Sequence, residues 1–171
     1  MNHHIQSLSH QQFSILPGIG KRSALRLVLH LLKLEKAEVM EFALSLTDLT
    51  QQINYCQHCH NISDAETCEI CSNDKRSTKV LCVVEDIRDV IAIENTQQFY
   101  GRYHVLGGVI SPIDGIGPQD LNIHTLVDRI EKDGVEEIIM ALGSTMEGDT
   151  TNFFIFKKIK DLEINVSTIA R

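Results

Sequence analysis

Four cysteines share one short polar stretch, "NYCQHCHNISDAETCEICSNDKR" (54–76), with the spacing Cys56-x2-Cys59-x8-Cys68-x2-Cys71. Two CxxC pairs this close supply four thiolates, the donor set that closes a tetrahedral Zn2+ site at about 2.3 Å per Zn–S bond. A redox CxxC fits less well, because neither pair opens a helix after a strand. The stretch has too few large apolar residues for a core of its own, so a metal must order it. Four thiolates leave no position open to a reactive water, which makes the expected role structural. His58 and His60 lie beside the ligands and are expected to face solvent. Cys82, inside "VLCVVE", is expected to behave as a small buried hydrophobe.

A second stretch, "LPGIGKRS" (16–23), is suited to phosphate. Gly18 and Gly20 let backbone approach an anion closely, and the free N–H groups of a following helix start favour negative charge. Lys21 adds a cation, and Arg22, Arg26 and Lys33 fall within about 40° of one another at 100° per residue, a basic stripe on that helix. A nucleotide P-loop would require Gly-x4-Gly-Lys-Ser/Thr after a strand, and here the glycines are one residue apart between helical flanks. The phosphate expected is therefore that of a nucleic-acid backbone, contacted without regard to sequence and with strong salt dependence.

The third set is acidic. Glu85 and Asp86 end an apolar strand, and Glu147 and Asp149 of "GSTMEGDT" are placed in the loop after a later strand. Carboxylates beyond the carboxyl ends of parallel strands suit Mg2+ with its retained waters. The competing role is structural, with Asp149 capping a helix over 150–161 and the other acids solvated.

The elements that must position these groups fall into three parts. Helical periodicity runs from Lys21 to about Leu34 and from about Lys36 to Leu49, with Val39, Phe42, Ala43, Leu46 and Leu49 on one face of the second helix, and a weaker helix is expected around 3–14. The polar cysteine stretch follows. From Lys79 onward "KVLCVVE" (79–85), "YHVL" (103–106), "EEIIMAL" (136–142) and "INVSTIA" (164–170) are continuous apolar runs, as in strands buried on both faces. Helical patterns at 86–98, 121–134 and 149–162 separate them, so an α/β domain with a parallel sheet is expected. The loop "HVLGGVISPIDGIGPQDL" (104–121) is long and apolar enough to expect function or an interface there, with Asp114 a turn-capping acid within it.

Composition narrows the classes. With 171 residues, 43% of them apolar, the chain can fill a core, and its apolar runs fall well short of the ~20 residues of a membrane span. The start "MNHHIQSLSHQQ" has no signal-peptide pattern, so a cytoplasmic protein is expected. A net charge of −7 argues against polyanion binding over the whole surface. Residues 1–55 carry five Lys/Arg against four Asp/Glu, while residues 79–171 carry nine against fifteen, which points any polyanion contact to the N-terminal third.

In order and detail these parts resemble the bacterial RecR family of recombination mediators. "LPGIGKRSALRLVLHLL" is similar to its helix-hairpin-helix, Cys56–Cys71 to its zinc finger, and "VLCVVEDIRDVIAIENTQQFYGRYHVLGGVISPIDGIGPQDL" to its Toprim domain, with "YHVLGG" and "MEGDT" the most diagnostic pieces. The resemblance implies three domains: a helix-hairpin-helix module over 1–53, a four-cysteine zinc finger over 54–76 and a parallel-sheet Toprim domain over 77–171. It also implies a DNA-binding, oligomeric protein of DNA repair and recombination that binds single-stranded, double-stranded or gapped DNA. Such a protein works with RecO-like and RecF-like partners to load recombinase at gaps in damaged DNA. Catalytic Toprim enzymes carry Asp-x-Asp where this chain has Glu147-Gly148-Asp149, which weakens the expectation of a Mg2+-dependent nuclease or other phosphoryl-transfer enzyme. Members of the family continue past the strand that ends near Arg171 with a glycine-rich segment and a short tail tied to ring closure, so the oligomeric state is left open.

Overall fold

The computed structural model describes residues 3–169, so Met1–Asn2 and Ala170–Arg171, at the ends of the first and last expected domains, lie outside the described residues. The chain divides into two compact units, Met1–Gln52 and Ile53–Arg171. The cysteine stretch thus belongs to the same unit as the α/β sheet. Among the described residues, no helix is long and apolar enough to cross a membrane.

Among the described residues, the regular elements of the first unit are all helical. The weak helix expected at 3–14 is three short windings in series: α1 (His3–Ser7), a π-helical turn (Leu8–Gln12) and a 3-10 turn (Phe13–Ile15). Helix α2 (Lys21–Leu31) buries Ala24 and Val28, one turn apart on its inner face. It stops three residues before the expected end, because its last turn tightens, with Lys33 N–H bonding to His30 and Leu34 N–H to Leu31. Helix α3 (Lys36–Gln52) has the expected apolar residues but buries none of them, and Phe42, Leu46 and Leu49 are each about half exposed.

In the second unit, β1 (Asn54–Tyr55) and β2 (Ile62–Ser63) form a small antiparallel hairpin, and α4 (Glu69–Ser72) completes the knuckle. A parallel sheet follows, built from β3 (Val80–Val84), β4 (Arg102–Val105), β5 (Glu137–Ala141) and β6 (Asn165–Thr168) in the order β4-β3-β5-β6. Helices α5 (Ile87–Glu94), α6 (Ile123–Asp133) and α7 (Met146–Ile159) connect successive strands. Strand β3 shows why its sequence is continuously apolar. Leu81 and Val83 pack with Leu126, Ile130, Ile155 and Ile159, whereas Cys82 and Val84 pack with Val90 and Tyr103 on the opposite face. Cys82 is buried as expected.

The glycine-rich segment 106–121 folds back on itself through a bridge between Ser111 and Ile116. Ser111 Oγ donates to Asp114 at 2.6 Å, the expected turn role, and Ile110 N–H donates to Thr151 of α7 at 2.8 Å.

An ion network joins the end of the knuckle to the sheet. Arg76 bonds both carboxylate oxygens of Glu94, one at 3.0 Å, and the carbonyl of Gly101 at 3.1 Å, while the buried Tyr103 hydroxyl donates to Glu94 at 2.6 Å. Burial alone would raise the Glu94 pKa, but the bonds from Arg76 and Tyr103 prevail and hold it below the ordinary 4.5. Because the folded value is depressed, this stabilisation is present above 4.5 and is lost as pH falls below it. Glu94→Gln should therefore cost about 1–2 kcal/mol at pH 7, with the gap to the parent narrowing toward pH ~3.5. Paired denaturant titrations at the two pH values check this, and a gap that does not narrow would show that the charge is not what holds Arg76.

Candidate functional site

The knuckle is built to bring sulfur together. Cys56 follows β1, and Cys59 closes the turn, in which Cys56 N–H bonds Asn61 at 2.8 Å and His60 N–H bonds Cys56 at 2.9 Å. His60 takes the left-handed φ of 61° that this turn demands. Cys68 precedes α4 as its N-cap residue, and Cys71 lies within that helix. All four cysteines are at most 6% exposed. Their four Sγ atoms lie within 4.8 Å of one another, with Cys59 and Cys68 at 3.5 Å. A tetrahedron with bonds of about 2.3 Å has S···S edges of about 3.8 Å, so sulfur shifts of about 1 Å or less bring the set to zinc geometry. Hydrogen bonds from Cys59, then Cys71, pull the Cys68 thiol pKa far down, and the same bond to Cys68 pushes Cys59 up.

The knuckle is not a free appendage. Val105 N–H of β4 donates to the Cys59 carbonyl at 2.8 Å, and Ile70 packs into the core cluster that contains Tyr103 and Val105. His58 is exposed as expected, but His60 is half-buried rather than solvent-facing. Its Nε2 lies 2.9 Å from Thr125 Oγ1, and its ring meets His104 edge-on at 5.3 Å. The reason is the turn itself, which aims His60 at α6. His104 is fully buried and bonds the Asn122 carbonyl at 2.8 Å, and burial pulls its pKa down to about 3, so the ring stays neutral.

In the first unit the glycine hairpin has the expected form. Gly18 adopts φ 78°, and Ile19 N–H closes the turn on Leu16 at 3.1 Å. Gly20 is the N-cap of α2 and offers no side chain to its first N–H groups. A Cβ placed on Gly18 or Gly20 would meet nothing within 4 Å, so both glycines present open backbone. Lys21, Arg22 and Arg26 are exposed on the first turns of α2. Lys33 is also exposed but lies past the end of α2, so the stripe is regular only through Arg26.

The acids are arranged differently from expectation. Glu147 and Asp149 do not lie in a loop, and Asp149 is not the cap. Thr145 caps α7 by accepting from Gly148 N–H at 3.0 Å, so both acids sit in the first helical turn, where they complement the helix dipole. Residues two apart on a helix point away from each other. Asp149 lines a cleft of about 260 Å3 beyond the ends of β5 and β6, together with Gly143, Asn152 and Thr168, and Glu147 does not. Glu85 is half-buried at the end of β3, its Oε2 3.9 Å from where a Cβ on Gly143 would stand. Burial, and then Asp89 and Asp86, raise its pKa. Asp86 serves as the N-cap of α5 in a capping box with Asp89. Among the described residues, the cysteine quartet is the one group of three or more His, Cys, Asp or Glu donors that meet closely enough to share an ion.

Arg129 of α6 has no counterpart in the sequence reading. It is 7% exposed and bonds the Tyr103 carbonyl at 2.6 Å and Asp133 at 3.2 Å, with Nη2 3.9 Å from Cys71 Sγ. The one local signal is an arginine flanking the apolar face of Ile123, Leu126 and Ile130, with an acid four residues on.

Comparison with known proteins accords with this layout. The helix-hairpin-helix family of RecR matches residues 9–50, the four-cysteine zinc finger domain of RecR matches 53–73, and the Toprim domain family matches 79–170. The chain is 56% identical over 160 residues to the recombination protein RecR of Bacteroides thetaiotaomicron, covering 94% of this chain and 78% of that one. It is 62% identical over 156 residues to that of Flavobacterium psychrophilum, covering 91% and 76%. The RecR of Porphyromonas gingivalis is 56% identical over 160 residues, covering 94% and 77%. A helix-hairpin-helix, a four-cysteine knuckle and a Toprim sheet in this order, at such identity over nearly the whole sequence, establish that the chain belongs to the RecR family of recombination proteins.

Proposed function

We propose that this chain is a non-enzymatic, DNA-binding recombination mediator of the cytoplasm. It would bind single-stranded, double-stranded or gapped DNA through backbone phosphate and assemble with RecO-like and RecF-like proteins to load recombinase at gaps. The observation that carries the reading is the open hairpin: bare backbone at Gly18 and Gly20, an α2 start without a side-chain cap, and Lys21, Arg22 and Arg26 exposed beside it. These features suit a phosphate oxygen and contain nothing that reads a base edge. Few cations are available per chain, so affinity would come from several copies, and the uncovered apolar residues of α3 support self-association. Glu147 and Asp149 would then serve partner recognition.

The test is binding of a labelled oligonucleotide across a salt series. Arg22→Ala/Arg26→Ala should weaken binding and reduce the slope of log K against log salt by about 1.8 for duplex and about 1.4 for single strands, two phosphate contacts per chain. An unchanged slope would place the contact elsewhere.

A second reading, a Mg2+-dependent Toprim nuclease or related phosphoryl-transfer enzyme, draws on Glu85, half-buried at a strand end with a raised pKa. Under the mediator reading, the purified protein leaves single-stranded and gapped DNA intact with Mg2+ or Mn2+. Cleavage that Glu85→Gln abolishes would replace that reading with the enzyme.

A further inference from the structure

A zinc ion held by four thiolates carries about two excess negative charges, and here the site is buried. Such a charge in a dry setting must be offset by hydrogen-bond donors or by a cation. Among the described residues, Arg129 is the one buried Lys or Arg, and it stands beside the centre with Nη2 3.9 Å from Cys71 Sγ. It does not come from the knuckle. It comes from α6, 58 positions along the chain, and its other two nitrogens are also engaged: Nη1 with the Tyr103 carbonyl at 2.6 Å and Nε with Asp133 at 3.2 Å.

Tyr103 belongs to β4, an edge strand of the sheet, since the order is β4-β3-β5-β6. An edge strand offers unpaired backbone groups that natural proteins cover. Two outward groups of β4 are covered from the side of the metal centre: the Tyr103 carbonyl by Arg129, and the Val105 N–H by the Cys59 carbonyl. The ligand residue Cys59 and the neighbour of Cys71 thus close the same edge.

We propose that Arg129 is the cation that offsets the charge of the zinc–thiolate centre and, through Tyr103, couples the presence of metal to closure of the β4 edge. A guanidinium suits this task because its planar fork serves sulfur, carbonyl and carboxylate at once, and lysine offers one point charge in its place. Asp133 is the positioning residue that holds the fork. The inference does not involve DNA, so it stands or falls separately from the mediator reading.

The experiment follows zinc transfer from the loaded full chain to a chromophoric chelator, the thiolate-to-metal bands of the Co2+-loaded chain, and hydrogen exchange at the Val105 amide. In Arg129→Met, zinc should leave about 10-fold faster or more, the Co2+ bands should shift, and the Val105 amide should lose protection. Arg129→Lys should recover part of the zinc retention and less of the edge protection. A folded Arg129→Met with the parent's zinc-release rate and Co2+ spectrum overturns the proposal. Should Arg129→Met fail to fold, Asp133→Asn decides. Removing an acid near the last turn of α6 is mild for the helix itself, so a several-fold faster zinc release supports the proposal and a parental rate overturns it.

Discussion

Cys68→Ser should leave the purified chain with little bound zinc and lower its melting temperature by about 10 °C, on the order of 4 kcal/mol. Cys68 has a thiol held well below the ordinary thiol range by hydrogen bonds from Cys59 and then Cys71. It is also the residue on which α4 begins, and Cys71 is carried by that helix. Serine is close in size but forms no strong bond to zinc, and the Cys68 side chain makes no cap hydrogen bond, so the loss isolates metal binding from helix capping. The knuckle has four buried cysteines and little else of apolar character, and Ile70 is the apolar neighbour that, beside the Val105–Cys59 bond, ties it to the sheet. Without metal it has too little to pay for its own order, and with it goes the cover over β4. Metal content by atomic emission and a calorimetric melt check the prediction, and a zinc-free variant that melts with the parent would show the knuckle to be ornamental. Acid should act in the same direction. Protons compete with zinc for the four thiolates, so retention should fall steeply as pH drops.

The parts are legible in the sequence where one physical cause dominates. Cysteine spacing identifies the metal set because four thiolates so close together have few other uses, and the strands are visible because β3 is buried on both faces through Leu81 and Cys82 alike. Reading fails where position depends on what lies across the fold. His60 looks like a solvent-facing neighbour of the ligands, and only the left-handed turn at φ 61° sends it to Thr125. Arg129 looks like the polar border of an amphipathic helix, since nothing local says that Cys71 lies 3.9 Å away. The apolar face of α3 is legible as a stripe, yet a stripe does not say whether its cover comes from the same chain.

The acidic pair is misread for a reason that is local. Thr145 stands three residues before Gly148, the spacing of a side-chain cap, and this starts α7 at Met146 rather than after Asp149. Placing the helix start there turns two acids expected in a loop into neighbours on diverging faces, and it assigns the glycine between them a purpose.

Gly148→Ala should destabilise the chain by about 3 kcal/mol. A Cβ on Gly148 would stand 2.1 Å from the carbonyl oxygen of Gly143 and 3.4 Å from Thr145 Oγ1. The obstacle is backbone, so no side-chain rotation relieves it. Either α7 withdraws from the sheet, uncovering Thr151 and Ile155, or the Gly143–Thr145 turn shifts, breaking the 2.8 Å bond between Thr145 N–H and Gly143. Both outcomes move Asp149 relative to its cleft and Glu85 relative to Gly143. Gly143→Ala is the control, because its Cβ would have Glu85 and Thr145 at an ordinary 3.9 Å and should cost less than about 1 kcal/mol. Chemical denaturation of the two variants beside the parent separates the cases. Equal losses would mean that glycine serves backbone freedom in this turn. A loss confined to Gly148→Ala would mean that the Glu-Gly-Asp sequence is set by the close approach of α7 to the β5 turn, with the acids carried into place by the packing.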